Sequence, residues 1–358
     1  MALMALDHTR DLFAGGSFNP RDVTDPALFL TRWITHFCAP AFVLLSGMSA
    51  YLYGRGREKA ELSRFLFTRG LWLILIEITV VNFAWGFDSS FYLSLGAGVI
   101  WVIGASMLVL AALIWLPRSA IAVIALGMIL GHNLLDGISA EDLGAAAPLW
   151  HVLHDPGRIQ ITDTVRVYVL YTLVPWAGVM AAGYLLGPTM LLDAKTRRRL
   201  LYQLGAAITV GFVLLRATNL YGDPDPWSTQ ATSLATILSF INTEKYPPSL
   251  LFLMTTLGPS LMLLAAFEHA RGRMADWLAT FGRVPFFYYV VHLYLIHILA
   301  IVVAFATTGV FAAREPEVGF GLPGVYLMWL VVLVLLYPLC RWFAGIKARR
   351  DEWWWSYL

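Results

Sequence analysis

The chain has little charge and almost no cysteine. Charged residues make up 13% of its 358 residues and hydrophobic residues 59%, whereas soluble domains carry about twice that charge. Its two cysteines, Cys38 and Cys340, both lie in apolar runs, which argues against a disulfide framework and a cysteine metal site. The sequence also lacks a P-loop, a G-x-S-x-G elbow and an H-E-x-x-H pair. A water-soluble fold is therefore excluded, and no familiar soluble chemistry is indicated.

Long apolar runs are abundant instead. Runs of about 20 residues recur, and each is long enough to cross roughly 30 Å of hydrocarbon. The predicted transmembrane helices cover residues 1–12, 28–53, 65–86, 92–116, 119–135, 167–188, 200–217, 249–268, 284–306 and 325–344. Because no repeat or linker divides the chain, we predict an all-α polytopic bundle that forms one domain over residues 1–358. The first run is short, so we expect the first helix to be truncated.

The basic residues are distributed unevenly between alternate loops. One set of loops and adjoining helix ends holds sixteen Lys and Arg residues, whereas the opposite set holds only six in loops that are longer on average. Basic residues concentrate on the cytoplasmic side of membrane proteins. Both termini are therefore expected in the cytoplasm, and loops 136–166, 218–248 and 307–324 are expected outside or in the periplasm.

Ionisable side chains within the predicted helices are costly in hydrocarbon, so each is a candidate for a site in the bundle interior. Three histidines are candidate catalytic bases, His8, His36 and His292, because imidazole can accept a proton near neutral pH. Asp7 is a candidate to orient or charge His8, although adjacent helix residues point about 100° apart. For each histidine, the alternative is a buried residue with a structural role.

Other polar side chains are predicted to gather at the outer ends of the helices. The candidates for substrate binding are Asn82, Arg216, Asn219, Tyr221, Asp223, Lys245 and Tyr246. Four further histidines are interpreted as interfacial or loop residues rather than catalysts, namely His132, His151, His154 and His297. Histidines on several helices could in principle surround a metal ion, but without paired ligand spacing no metal site is predicted.

Arg69 and Glu77 are two charged residues of the third predicted helix. Arg69 lies about 12 Å closer to the cytoplasm than Glu77 does, and its guanidinium could reach the membrane interface there and bind a phosphate group. Arg69 is therefore the candidate cofactor-binding residue, and the alternative is an ordinary topology anchor. Glu77 is predicted to pair with a group on another helix. From these residues alone, the chain could be an enzyme, a transporter or a sensor.

Several short motifs, in order along nearly the whole chain, resemble a known family. They are Met4–Arg10, Ala39–Val43 with Ser46 and Gly47, Arg69 and Gly70 with Asn82, Trp101–Gly104, Arg216 with Tyr221–Asp223, Lys245–Ser249, and Gly282–His292. Together they resemble bacterial proteins related to the catalytic domain of heparan-α-glucosaminide N-acetyltransferase. Asn82 and His292 are the polar positions that this resemblance carries over most directly.

The resemblance implies a membrane-embedded acyltransferase of the bacterial inner membrane. Such an enzyme takes acetyl from acetyl-CoA on the cytoplasmic side and transfers it to the amine or hydroxyl of a saccharide on the outer side. The implied partners are acyl-CoA, a saccharide or small envelope acceptor, and the lipid bilayer. No nucleic acid is expected, and a homodimer is one alternative for the oligomeric state.

One feature of the family pattern is missing here. By resemblance, the catalytic histidine lies in the loop between the first two helices, after an asparagine that ends the first helix. Loop 11–27 has no histidine, and His8 stands at the corresponding helix end. The base is therefore left open among the three candidate histidines. Two other functions also stay open: a transporter of small molecules or lipid-linked saccharides, and a noncatalytic membrane sensor.

Overall fold

The computed structural model describes residues 1–15, 21–87, 90–311, 319–350, 352 and 355. In chain order, its helices are α1 (Ala2–Phe13), α2 (Pro26–Thr35), α3 (Cys38–Gly54), α4 (Lys59–Ile76), α5 (Asn82–Gly86), α6 (Val99–Leu113), α7 (Arg118–Gly131), α8 (Ala147–Leu153), α9 (Leu173–Leu186), α10 (Ala194–Thr218), α11 (Ser233–Ile241), α12 (Leu250–Phe267), α13 (Arg273–Gly282), α14 (Pro285–Thr308) and α15 (Leu322–Lys347). A π-helical turn, Glu77–Val81, joins α4 to α5. The strands β1 (Ser94–Ala97), β2 (Gly157–Gln160) and β3 (Arg166–Val169) are short. The predominance of helix confirms the predicted all-α bundle.

Eight helical segments of the described residues are long and apolar enough to cross a membrane. They are Pro26–Gly54, Lys59–Gly86, Arg118–Leu135, Leu173–Leu191, Ala194–Thr218, Leu250–Phe267, Pro285–Thr308 and Leu322–Lys347. Together with α6, which has 15 residues, and α1, which has 12, they correspond to the ten predicted segments. The chain is thus an integral, multi-pass membrane protein. The predicted outer loop 307–324 is described only at its ends, because residues 312–318 lie outside the described residues.

Polar caps determine where several of these helices begin. The first N–H groups of a helix have no partner within it, so a side-chain oxygen that accepts from them stabilises the end. Asp25 does this for α2, whose first residue is Pro26. Asp193 accepts from two main-chain N–H groups of α10, and Thr232 and Ser249 cap α11 and α12. The apolar runs set which segments are helical, and these polar residues set their ends.

The described residues group into two compact units. The first comprises Met1–Cys38, Phe83–Ser89 and Ala270–Leu358, and the second comprises Ala39–Asn82 and Ser90–His269. The single domain over residues 1–358 stays a prediction.

In the first unit, α1 packs against α14, α15 and α2. The indole of Trp329 on α15 donates a hydrogen bond of 2.8 Å to the carbonyl of Ala2. At the other end of α1, the N–H of Phe320 donates to the carbonyl of Phe13 at 2.8 Å. The short helix α1 is therefore held at both ends by α15 and the residues that precede it.

In the second unit, the main helix pairs are α10 with α12, α4 with α6, and α7 with α9. Helices α4 and α6 approach most closely at Gly70 and Gly104. A Cβ atom at Gly104 would lie 2.6 Å from the carbonyl oxygen of Gly70, and one at Gly70 would lie 2.7 Å from that of Gly104. Small residues allow such close approach in membranes, where helix association depends on backbone packing.

The second unit also contains a small sheet. Strand β3 pairs with β1 in parallel and with β2 in antiparallel orientation. The predicted helices 92–116 and 167–188 are therefore wrong at their starts, since α6 begins only at Val99 and α9 only at Leu173. Residues 94–97 and 166–169 include apolar side chains, and hydropathy alone does not distinguish a short buried strand from the first turn of a helix.

Candidate active site

Two histidines of the first unit contact each other. The Nδ1 atom of His8 on α1 lies 2.7 Å from the Nε2 atom of His292 on α14, and the stacked rings have centroids 4.9 Å apart. His292 is fully buried, whereas His8 is partly exposed. Of the three candidate bases, the structure thus brings two together, and of these two only His8 has exposed surface.

Hydrogen bonding determines which nitrogen of each ring carries a proton. The Nδ1 atom of His292 lies 2.9 Å from the carbonyl oxygen of Tyr288, which can only accept, so this Nδ1 is the donor. A charged imidazole would be costly in a fully buried position, and a neutral His292 must then accept at Nε2. His8 therefore donates from Nδ1, and its Nε2 carries the lone pair. This lone pair is the basic site of the cluster.

Aromatic rings surround the histidine pair. The ring centroid of His8 lies 4.9 Å from that of Trp85 and 6.2 Å from that of Tyr289, and both pairs are edge to face. Tyr288 stacks on His292 with centroids 5.3 Å apart. Aromatic rings tolerate a neighbouring cation better than aliphatic side chains do, because their π faces are negative. A protonated His8 is thus less costly here than in aliphatic surroundings.

Asp7 contacts a residue of its own helix, α1, and a residue of α2. Its Oδ1 atom forms an ion pair of 2.8 Å with Arg10, one turn later, and accepts a hydrogen bond of 2.8 Å from the hydroxyl of Thr35. Arg10 also pairs with Asp11 at 2.8 Å. These contacts indicate that Asp7 fixes α1 beside α2, which positions the helix that carries His8. A direct catalytic role for Asp7 stays a prediction.

The third candidate base, His36, lies at the carboxyl end of α2. It is 3% exposed, and its main-chain N–H donates to the carbonyl of Trp33. Its role as a base stays a prediction. His297 lies five residues, or about 1.4 turns, further along α14 than His292, and it stacks on Phe87 with ring centroids 4.3 Å apart.

The side chains of Glu77 and Asn82 bind main-chain groups of the second unit. The Oε1 atom of Glu77 accepts from the N–H of Gly98 at 3.0 Å, just before α6 begins. The amide of Asn82 donates to the carbonyls of Glu77 at 2.6 Å and Gly96 at 2.9 Å, and its oxygen accepts from the N–H of Gly96. The partner that the sequence predicted for Glu77 is therefore the amino end of α6. The proposed contact of Asn82 with substrate stays a prediction.

Arg216 is buried at the end of α10 and binds carbonyl groups. Its guanidinium donates to the carbonyls of Phe240, Asp225, Ser239 and Asn242 at distances from 2.7 to 3.2 Å. Asp223 lies 3.6 Å from the same guanidinium. With 2% of its surface exposed, Arg216 holds the end of α11 against the loop after α10.

The remaining substrate candidates lie in the same region of the second unit. Asp223 accepts from the N–H of Glu244 and the hydroxyl of Ser249, and burial raises its pKa although these hydrogen bonds lower it. Asn219 exchanges two hydrogen bonds with the main chain of Trp227. The hydroxyl of Tyr221 donates to the carbonyl of Leu130. The ammonium of Lys245 lies 5.0 Å from the ring centroid of Tyr246, whose hydroxyl lies 3.5 Å from the hydroxyl of Tyr171. That these residues form a substrate site, together with Asn82, stays a prediction.

Arg69, the candidate for cofactor binding, lies on α4 about 15 Å from the first residue of that helix. Its guanidinium is 6.0 Å from the ring of Phe65, one turn earlier, and the residue is half-buried. Phosphate binding by Arg69 stays a prediction.

Sequence reasoning missed Tyr288 and Trp85. The contribution of Tyr288 comes from its carbonyl, which any residue carries, so no pattern of side chains could have indicated it. Trp85 belongs to a sequence rich in aromatic residues, where one ring near a histidine cannot be told from interfacial rings.

A family model described as "Heparan-alpha-glucosaminide N-acetyltransferase, catalytic" matches residues 1–217, more than half of the chain. The matched range includes His8, His36, Arg69 and Asn82, and it ends before His292. Comparison with curated proteins gave no match, and comparison with solved structures gave none either.

Proposed function

The chain belongs to the family of the heparan-α-glucosaminide N-acetyltransferase catalytic domain, and from this premise we propose that it is a membrane-embedded acetyltransferase whose general base is His8. The observation that carries this proposal is the contact of 2.7 Å between His8 and His292. A buried imidazole that accepts from Nδ1 of a second, partly exposed imidazole leaves that second ring with a lone pair at Nε2. The arrangement holds a base in one orientation and one tautomer.

The proposed reaction is transfer of acetyl from acetyl-CoA to a saccharide amine or hydroxyl. The acceptor nitrogen or oxygen forms a bond to the acetyl carbonyl carbon while Nε2 of His8 takes its proton. The carbon–sulfur bond then breaks, and His8 returns the proton to the departing sulfur of CoA. During the reaction, His292 continues to accept from Nδ1 of His8 and so stabilises the imidazolium.

We propose that donor and acceptor approach from opposite sides of the membrane. The support is the uneven distribution of basic residues, which predicts cytoplasmic termini and a cytoplasmic face that attracts CoA phosphates. Arg69 is the residue proposed to bind one of these phosphates, because a guanidinium binds phosphate in a bidentate manner. We also propose a bacterial inner membrane as the location, from the resemblance of the sequence motifs to bacterial proteins.

The test is acetyl transfer in proteoliposomes that contain the full chain. Labelled acetyl-CoA is supplied on one side, a panel of amino and hydroxyl saccharides on the other, and both labelled product and free CoA are measured. We expect His8→Ala to lower kcat by about 10²- to 10⁴-fold, the usual contribution of a general base. His292→Ala should cost less, about tenfold, because it removes one hydrogen bond worth about 1.4 kcal/mol and leaves the base.

The matched control is His269→Ala, because His269 is exposed and follows α12 outside the histidine pair. It should keep the activity of the unsubstituted protein. Equal activity of His8→Ala and His269→Ala would refute His8 as the base, and loss of activity only in His36→Ala would assign that role to His36. If no saccharide accepts acetyl and the protein does not bind CoA, the transferase proposal fails and transport becomes the better hypothesis.

A further inference from the structure

A second histidine cluster shares no residue with the proposed acetyltransferase site. It consists of His132, Asp136 and His154, all in the second unit. His132 begins the 3₁₀ turn that continues α7, Asp136 directly follows this turn, and His154 directly follows α8. Each residue offers one ligand atom, and these atoms all lie within 4.8 Å of one another.

The two histidines of this cluster are buried, and three of their four ring nitrogens have no hydrogen-bond partner among the described residues. His132 is 1% exposed and His154 is 2% exposed. Neither ring nitrogen of His132 has a partner among the described residues, and the same holds for Nδ1 of His154. Buried polar atoms in native proteins nearly always have a partner, so an unpaired group of this kind requires an explanation such as an ion or a water molecule.

The distance between two of the ligand atoms suits a transition metal ion. Nε2 of His154 lies 3.0 Å from Oδ1 of Asp136. Two ligand atoms bound to one Zn²⁺ at about 2.0–2.1 Å in tetrahedral geometry are about 3.3 Å apart, which is close to this distance. Imidazole nitrogens favour zinc, copper or nickel, whereas magnesium and calcium favour oxygen ligands.

We propose that His132, Asp136 and His154 bind one divalent first-row transition metal ion, with Zn²⁺ as the ion that this ligand set favours. Two neutral imidazoles and one carboxylate leave a net charge of about +1 at the ion, together with an open fourth position for water or another ligand. The ion would bind a ring nitrogen of His132 that has no other partner among the described residues. This site is independent of the histidine pair proposed for acetyl transfer.

Neighbouring residues hold the carboxylate ligand in place. The amide nitrogen of Asn133 donates to Oδ2 of Asp136 at 2.8 Å, which leaves Oδ1 directed at His154. The amide oxygen of Asn133 accepts from the N–H of Leu250 at 2.9 Å. Trp150 packs beside His154 with ring centroids 5.3 Å apart. Outer contacts of this kind orient the ligands of known metal sites.

The experiment measures metal binding by the full chain in detergent, without reference to enzymatic activity. The purified protein is stripped with a chelator, incubated with Zn²⁺ or Co²⁺ and exchanged into metal-free buffer. Bound metal is then counted by elemental analysis, and the Co²⁺ spectrum reports its coordination. We expect one equivalent per chain and a loss of affinity of more than about 100-fold in His132→Ala and His154→Ala, since even outer contacts contribute 10- to 100-fold.

His151→Ala is the matched control. His151 lies on α8 one turn before His154, and its Nδ1 contacts the carbonyl of Asp155 at 2.8 Å, outside the proposed ligand set. We expect this variant to bind metal like the unsubstituted protein. If a histidine variant does not purify as a single species, Asp136→Asn provides the same comparison with nearly the same shape. Failure of the unsubstituted protein to retain one equivalent, or equal retention by His151→Ala and Asp136→Asn, would overturn the proposal.

Discussion

The crossing of α4 and α6 allows a substitution to be predicted from the structure in detail. In Gly104→Ala, the new methyl group would lie 2.6 Å from the carbonyl oxygen of Gly70, 3.0 Å from Cγ1 of Ile74 and 3.1 Å from Cβ of Leu73. Two of these atoms, the carbonyl oxygen of Gly70 and Cβ of Leu73, are attached directly to the backbone of α4 and cannot move unless that backbone moves. The two helices must therefore separate, and we expect α4 and α6 to lose part of their contact.

The expected magnitude follows from two opposing effects. Forcing an extra methyl group into a packed interior costs about 1–3 kcal/mol. Replacing glycine by alanine within a helix recovers up to about 1 kcal/mol. Gly104→Ala should therefore lower the free energy of unfolding by about 1–2 kcal/mol.

Gly127→Ala is the matched control for this prediction. Gly127 lies within α7, and a Cβ atom there would have no heavy atom within 4 Å. Only the favourable effect of helix propensity applies, so we expect this variant to be at least as stable as the unsubstituted protein. Reversible unfolding in mixed micelles, followed by tryptophan fluorescence, ranks the three proteins. A Gly104→Ala protein as stable as Gly127→Ala would refute the close approach of α4 and α6.

Two further predictions concern charged side chains of the second unit. Arg216→Lys keeps the charge but loses most of the hydrogen bonds to carbonyls, so we expect it to lower the free energy of unfolding by at least about 2 kcal/mol; normal stability with a raised KM for the acceptor would instead favour substrate binding. Glu268 accepts two hydrogen bonds from Arg197 at 2.6 and 3.0 Å, which lower its pKa from 4.5. A lowered pKa stabilises the folded protein only when the pH is above the ordinary pKa of the group. The unsubstituted protein should therefore be more stable than Glu268→Gln by about 1 kcal/mol near neutral pH, and this difference should disappear as the pH falls well below 4.5. A stability difference that does not depend on pH would contradict the prediction.

Hydropathy was sufficient to predict the class of fold and most helices. The apolar runs that become α10, α12, α14 and α15 are long and uninterrupted, and the helices lie where the sequence indicated. It failed before α6 and α9, because the residues of β1 and β3 are apolar enough to extend the neighbouring runs. Strand pairing depends on the partner strand, which lies about 70 residues away in the sequence for β1 and β3.

The candidate site was predictable only in part. The cost of histidine in hydrocarbon identified His8 and His292, and the structure places their ring nitrogens in contact. That Asp7 would bind Arg10 and Thr35 depends on the rotation of α1 against α2, which the sequence does not specify. The cluster of His132, Asp136 and His154 was not predicted, because the chain must turn back through α8 before the second histidine reaches the first.

The π-helical turn at Glu77–Val81 also constrains how the length of this segment can change during evolution. Such a turn holds about one residue more than an α-helical turn, so deleting one residue there would restore regular helix. The residues that follow would keep roughly their orientation relative to α4, because a regular turn completes the same rotation with one residue fewer. Asn82 would then still face Gly96, and Glu77 would still cap α6. A deletion of one residue should therefore be tolerated better at this turn than within α4, where it would rotate the residues that follow by about 100°.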